Sequence, residues 1–258
     1  MIPIFDSLCH PTLTGNWFDN NSVSKFNNLE KYLNDSSFIG AAAVGIHGIE
    51  DYNHEDFMEK CKISELLYPV AGFNINTNDI EGEINRIIDI GYKAIKIHPR
   101  FNNFNFDIKT MKNVFRLASD NEVIIFYCSY QHSFIQQYPA VDPFYFLVNS
   151  LKDISNLKVI LLHGGDINIL KYAELVRFNS NLLLDLSMTL FKYKGSSIDL
   201  DIDFLFNNFD QRICIGTDYP EHSHHKLRQF FEKKSNTVRK TKLENIAYKN
   251  IMSFLGIN

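Results

Sequence analysis

Eight short apolar runs, each separated from the next by a longer segment of helical periodicity, constrain this chain more than any other feature. The runs are residues 4–8, 40–46, 67–73, 94–98, 123–128, 158–163, 181–186 and 212–217. They lack strict apolar/polar alternation; Val123-Ile124-Ile125-Phe126-Tyr127 is apolar almost throughout. Strands buried on both faces have that character, and parallel sheets are built of such strands. Eight of them alternating with helices predict an α/β fold, a single (β/α)8 TIM barrel. A dinucleotide-binding sheet would carry GxGxxG after its first strand, and Asp6-Ser7-Leu8-Cys9-His10 stands there instead.

The intervening helices are predicted at 23–33, 54–66, 79–90, 108–119, 142–152, 168–178, 200–207, 223–233 and 242–255. Thr77-Asn78-Asp79-Ile80-Glu81 offers capping side chains and early negative charge to the third of these, and Gly91 stands where it should stop. Ile80, Ile84, Ile87 and Ile88 fall on one face of it. The 258 residues match the roughly 250 of a one-domain barrel, and with no repeat, linker or composition break the whole of 1–258 reads as one domain.

A net charge of -4 and the lack of a long basic stretch argue against a nucleic-acid partner or an anionic membrane surface. The cluster Arg239-Lys240-Thr241-Lys242 reads as a solvated helix start. Cys9, Cys61, Cys128 and Cys214 lack CxxC spacing, and buried free thiols in a reducing compartment are the reading they favour. Together with an N-terminus that lacks a secretory pattern, this points to a cytoplasmic protein acting on a small molecule. A homo-oligomer is allowed, but nothing in the sequence fixes a subunit number.

In a (β/α)8 barrel the reacting groups lie at the C-terminal ends of the strands. Strand one ends on Asp6, Leu8 and His10, which share parity and so should share a side. Strand four ends on Lys96 and His98, strand six on His163, strand eight on Asp218. Taken singly, each histidine could be structural and Asp218 could cap a turn. Lys96 between Ile95 and Ile97 is harder to explain so, because a lysine aimed into a barrel needs an anion or carboxylate near it. His222 leads a cluster with His224 and His225 after strand eight, and Tyr130 and His132 follow strand five near the mouth.

The order of these motifs resembles the amidohydrolase superfamily, in its amidohydrolase-related branch, over nearly the whole chain. Phe5-Asp6-Ser7-Leu8-Cys9-His10 stands where that family has Asp-x-His-x-His, and Tyr68-Pro69-Val70-Ala71-Gly72-Phe73 is similar to its third strand. Gly91-Tyr92-Lys93-Ala94-Ile95-Lys96-Ile97-His98-Pro99 resembles its strand-four signature. Leu162-His163-Gly164-Gly165, Ile215-Gly216-Thr217-Asp218-Tyr219-Pro220 and Asn250-Ile251-Met252-Ser253-Phe254-Leu255-Gly256 are similar to its later ones. The resemblance implies His10 and Asp218 as ligands of one divalent metal, Zn2+ or Mn2+. It implies Asp218 also as the activator of water, His163 as the group that polarises a carbonyl or moves a proton, and Lys96 as the partner of a substrate carboxylate. His98 and His222 are further candidates for substrate contact.

Two departures bear on that set. Leu8 replaces the first histidine of the pair, and Phe126 or its neighbours replace the strand-five histidine. A catalytic zinc usually has three protein ligands, so His163, His98 or Cys128 would have to complete the site. Without a metal, Asp218 as base with Lys96 and His163 as oxyanion stabilisers suits a small anionic ester or lactone. A metal-dependent decarboxylase or hydrolase with altered ligands is the alternative, and a non-catalytic binding descendant is the third reading.

Overall fold

The computed structural model describes residues 1–18, 23–35, 37–49, 52–99, 106–130 and 141–257. Eight strands, β1 (Ile4–Cys9), β2 (Phe38–Val44), β3 (Leu67–Gly72), β4 (Ala94–Ile97), β5 (Ile124–Cys128), β6 (Val159–Leu162), β7 (Leu182–Asp185) and β8 (Ile213–Cys214), pair in sequence order. Every pairing is parallel. The ends of the sheet meet through Ser7 N donating to Ile215 O (3.1 Å) and His10 N donating to Tyr219 O (2.7 Å). The sheet thus curls into the predicted (β/α)8 barrel.

Alternate residues of the strands build two apolar layers. Phe5, Leu8, Ala42, Val44, Val70, Ala94, Phe126, Leu162 and Leu183 fill the barrel. Ile95, Ile97, Ile125, Leu161 and Leu184 face the helices. This two-sided burial is why the strands read as continuous apolar runs.

The surrounding helices are α1 (Phe26–Asp35), α2 (His54–Lys62), α3 (Ile80–Ile90), α4 (Ile108–Asp120), α5 (Pro143–Leu151), α6 (Ile169–Arg177), α7 (Thr189–Lys192), α8 (Ser197–Asn208), α9 (His224–Lys234), α10 (Lys240–Glu244) and α11 (Asn250–Leu255). Asp79 caps α3 by accepting from Gly82 N at 2.8 Å, and Gly91 ends it in the left-handed region, as its sequence predicts. The final predicted helix is divided: a π-helical turn, Asn245–Lys249, separates α10 from α11. The short α7 has no counterpart in the sequence reading. Among the described residues, no helix is long and apolar enough to cross a membrane.

One parity inference fails. Asp6 pairs with Ala41 and Cys9 with Ala43, so β1 takes three steps where β2 takes two. The bulge puts Leu8 inside the barrel and sends Asp6 and Cys9 outward, where both meet His224 of α9. His10 faces inward again.

Candidate functional site

The inward residues at the C-terminal strand ends form a buried polar cluster in an otherwise apolar barrel. At its centre is the His10 ring. Its Nδ1–H donates to Val44 O at 2.7 Å, which leaves Nε2 as an acceptor. Lys96 Nζ donates to that nitrogen at 2.9 Å, and Asp218 Oδ1 lies 3.4 Å from it. Burial and the Lys96 charge lower the His10 pKa, consistent with a neutral ring.

Asp218 is buried, and burial alone would raise its pKa. The His163 charge, the contact with His10 and the Lys96 charge outweigh that and hold the carboxyl well below the usual range. His163 is the reciprocal case. Burial pulls its pKa down, but Asp218 and the Cys128 side chain more than compensate, and the net shift is upward. The structure therefore joins His10, Lys96, His163 and Asp218 in one electrostatic group. His98 lies half-buried two residues past Lys96 at the mouth. His222 is also half-buried, with its Nδ1 3.2 Å from Lys226 Nζ, and burial, then Lys226, lower its pKa against a smaller opposing effect of Asp218. Tyr130 packs its ring edgewise on His163 at 6.2 Å, while His132 lies outside the described residues.

The two strand-end residues His163 (φ 65°) and Asp218 (φ 54°) both occupy the left-handed backbone region, which costs a non-glycine residue about 1–3 kcal/mol. Neighbouring hydrogen bonds hold them there. Asp185 Oδ1 accepts from His163 N at 3.2 Å, and Thr189 Oγ1 donates to His163 O at 2.6 Å. On the other side, Asp6 Oδ1 accepts from Thr217 N at 2.9 Å and Asp6 Oδ2 from Thr217 Oγ1 at 2.6 Å.

Asp185 was not singled out by the sequence reading. It is fully buried, accepts from Ser7 Oγ, Ser187 Oγ and Ser187 N, and its pKa is raised by burial. The available signal was an acid inside Leu182-Leu183-Leu184-Asp185-Leu186. Trp17 was missed as well. Its ring stacks on His10 (centroids 5.5 Å apart, planes 13° apart), and its Nε1 donates to Glu221 Oε1 at 2.8 Å across the mouth.

A divalent metal does not fit this donor set. His10 has only Nε2 to offer, and Lys96 directs an ammonium at the same nitrogen. A metal there would lie against a resident cation. The two replaced ligand positions, Leu8 and Phe126, are apolar parts of the barrel filling. Asp6, Cys9 and His224 form a second group whose donor atoms lie within 4.8 Å of one another. There Asp6 is committed to Thr217 and to His224 Nε2 (3.1 Å), and burial, then Asp6, push the Cys9 thiol pKa up. The group reads as a hydrogen-bonded tie between β1 and α9.

No family model and no curated protein matches the chain by sequence. Among solved structures, it is similar to an uncharacterized TIM-barrel protein from Bordetella bronchiseptica, with TM-score 0.81, 15% identity and 98% of each chain covered. It is also similar to a candidate 2-pyrone-4,6-dicarboxylic acid hydrolase from Acinetobacter baumannii with citric acid bound, with TM-score 0.72, 13% identity and 100% of both chains covered. A third is a dihydroxybenzoic acid decarboxylase from a Polaromonas species, with bound manganese and the inhibitor 2-nitroresorcinol. Its TM-score is 0.75 at 10% identity, over 99% of this chain and 97% of that one. Further similar barrels are described as amidohydrolases. At these identities the likeness establishes the barrel fold.

Proposed function

We propose that the chain is a hydrolase of the amidohydrolase-related type acting on a small anionic ester or lactone. Asp218 is the general base, and Lys96 and His163 polarise the carbonyl. The observation that carries this reading is one ionised carboxylate set among His10, Lys96 and His163 at a buried mouth.

Asp218 removes a proton from water as the water oxygen bonds to the carbonyl carbon. The former carbonyl oxygen gathers negative charge beside the Lys96 ammonium and the His163 imidazolium. Collapse of the tetrahedral species breaks the bond to the leaving alkoxide, which takes a proton from His163. Neutral His10 accepts one Lys96 N–H and so aims the ammonium. A carboxylate held far below its usual range is a weak base. An anionic substrate that engages Lys96 and His163 takes up part of their field and raises the basicity of Asp218 when the reaction needs it.

Cations on the segments following β7 and β8 favour anionic substrates. Lys226 is close enough to Lys194 for their repulsion to lower its pKa, after burial, whereas Lys192, over the Tyr130 ring, is already paired with Asp166 at 3.7 Å. Lactones and activated esters suit the site better than amides, because their leaving groups need less electrophilic help. The test is hydrolysis of a lactone panel by wild type and Asp218→Asn. A loss of about 10²-fold or more is expected; equal rates in the two proteins eliminate Asp218 as base.

The second reading, a metal-dependent decarboxylase or hydrolase with altered ligands, requires Lys96 to withdraw from His10 Nε2. One equivalent of Zn2+ or Mn2+ in purified protein, with turnover that depends on it, decides in its favour. A binding descendant without catalysis, the third reading, predicts ligand binding with no turnover of any lactone.

A further inference from the structure

The bulge in β1 reaches both left-handed strand-end residues of the site. The strand takes its extra step between Asp6 and Cys9, and Asp6 Oδ1 steadies that step by accepting from Leu8 N at 3.1 Å. Asp6 and Ser7, adjacent in the chain, then turn to different neighbours. Asp6 bonds to the segment that continues β8, and Ser7 Oγ donates to Asp185 Oδ2 at the end of β7. Ser7 reaches Asp185 past that same segment, to which its own N–H is bonded at Ile215 O. Gly216 makes the passage possible. A Cβ there would come 2.7 Å from Ser7 Oγ, 2.8 Å from Asp6 Oδ1 and 2.9 Å from Leu8 N, and would push the bulge off β8.

Asp6 takes hold of the chain on either side of Asp218. Its Oδ1 accepts from Thr217 N and its Oδ2 from Thr217 Oγ1, and that hydroxyl oxygen accepts in turn from Tyr219 N at 3.0 Å. His224 Nε2, 3.1 Å from Asp6 Oδ2, holds the carboxylate from the α9 side. The His224 ring is itself packed among Tyr32, Phe38 and Tyr219. The second line runs from Ser7 to Asp185, whose Oδ1 accepts from His163 N. Asp6, Ser7 and Asp185 are all fully buried, so a displaced partner would leave a donor or acceptor without water to replace it.

We propose that the β1 bulge is the positioning element of the site. Asp6 fixes Asp218 through Thr217, Ser7 fixes His163 through Asp185, and their adjacency in the chain sets the spacing between the two groups. Both are positioning residues, because neither touches the reacting atoms. A misplacement of about 1 Å at a reacting group costs on the order of 10²-fold in rate, so the loss of one tie should cost about tenfold.

The catalytic consequence rests on the hydrolase reading, but the spacing can be read without a substrate. Burial lowers the His163 pKa and Asp218 raises it, and the second effect weakens as the two groups separate. The NMR titration of the His163 ring, identified by its absence in His163→Gln, therefore reports their separation. Thr217→Val removes the hydroxyl that joins Asp6 to Tyr219 N, Thr217→Ser keeps it, and Ser7→Ala cuts the second line. In Thr217→Val and in Ser7→Ala the His163 midpoint should fall by about half a pH unit or more, while Thr217→Ser keeps the wild-type midpoint. On a lactone that the wild type hydrolyses, both disruptive variants should lose about tenfold in kcat with KM within about twofold. Thr217→Ser should lose neither. Thermal melts establish that each variant is folded, and because the two lines are cut at separate places, either folded variant is decisive. An unmoved midpoint in folded Thr217→Val or folded Ser7→Ala overturns the proposal, as does a Thr217→Ser as impaired as Thr217→Val. Lowered midpoints in a protein that hydrolyses no lactone support the positioning element and remove the hydrolase reading. Hydrolysis with unmoved midpoints removes the positioning element alone.

Discussion

The Lys96 ammonium lies 2.9 Å from His10 Nε2, the one nitrogen that His10 could offer to a metal. The barrel therefore holds a side-chain cation beside the histidine of its first strand, and Asp218 at 3.4 Å from the same nitrogen is its anionic complement. In the proposed hydrolysis, a lysine in this position would supply positive charge to a developing oxyanion without a donor set that closes around a metal. It also accounts for a buried lysine on β4, which would be costly without a carboxylate near it.

Replacing Lys96 by Met should lower kcat/KM by about 10²–10³-fold, the usual effect of removing one stabilising donor. The substitution also has a readout independent of substrate. Asp218 has a depressed pKa in the folded state, so its stabilising contribution is present above the ordinary carboxylate pKa and is lost as pH falls through the folded value. Without Lys96 that folded value rises. Acid unfolding followed by circular dichroism should then begin at a higher pH in Lys96→Met than in wild type, and coincident acid transitions would contradict the arrangement.

His163 predicts the opposite limb. Burial alone would lower its pKa, but Asp218 and Cys128 raise it above the ordinary 6.5. If its cationic form stabilises the oxyanion, kcat/KM should fall as pH rises through that raised value. Its contribution to stability has the same sign, being complete below the unfolded pKa and lost as pH rises through the folded one. In His163→Gln the alkaline limb should disappear from a pH–rate profile while residual activity remains; a limb that persists unchanged belongs to another group.

Much of this architecture is legible in the sequence because strands buried on both faces write themselves as apolar runs, and residues 123–128 and 158–163 mark β5 and β6 to within a residue at each end. Strand-end logic likewise finds His10, Lys96, His163 and Asp218, since the barrel gathers those ends at one mouth. Asp6 defeats it. A period of two cannot announce the bulge that turns Asp6 toward α9, and the cost of leaving Thr217 or His224 unpaired there is invisible until the elements pack. In the histidine cluster, His224 rather than His222 is the buried one, because Ser223 caps α9 and directs its first residue inward. Trp17 lies beyond a strand end, where loop conformation rather than periodicity decides what it covers.

Asp185 gives the last prediction. Its carboxylate is fully buried beneath His163 and gathers four donors: Ser7 Oγ, Ser187 Oγ, Ser187 N and His163 N. Asp185→Ala would strand the two backbone N–H groups and two hydroxyls in an apolar barrel. Each unsatisfied buried group costs about 1–3 kcal/mol, and partial relaxation of the hydroxyls should leave a net loss of about 3–5 kcal/mol in urea unfolding. Asp185→Asn keeps the shape and one acceptor oxygen, so its loss should be smaller, about 1–2 kcal/mol. The support is directional as well as energetic. Asp185 Oδ1 holds the His163 backbone in its left-handed conformation, and Ser187 O and Oγ, both 3.3 Å from His163 Nδ1, orient the ring. Asp185→Asn should therefore reduce kcat by more than its stability loss would suggest and shift the alkaline limb assigned to His163. A variant with reduced stability but an unmoved pH profile would make Asp185 a purely structural group.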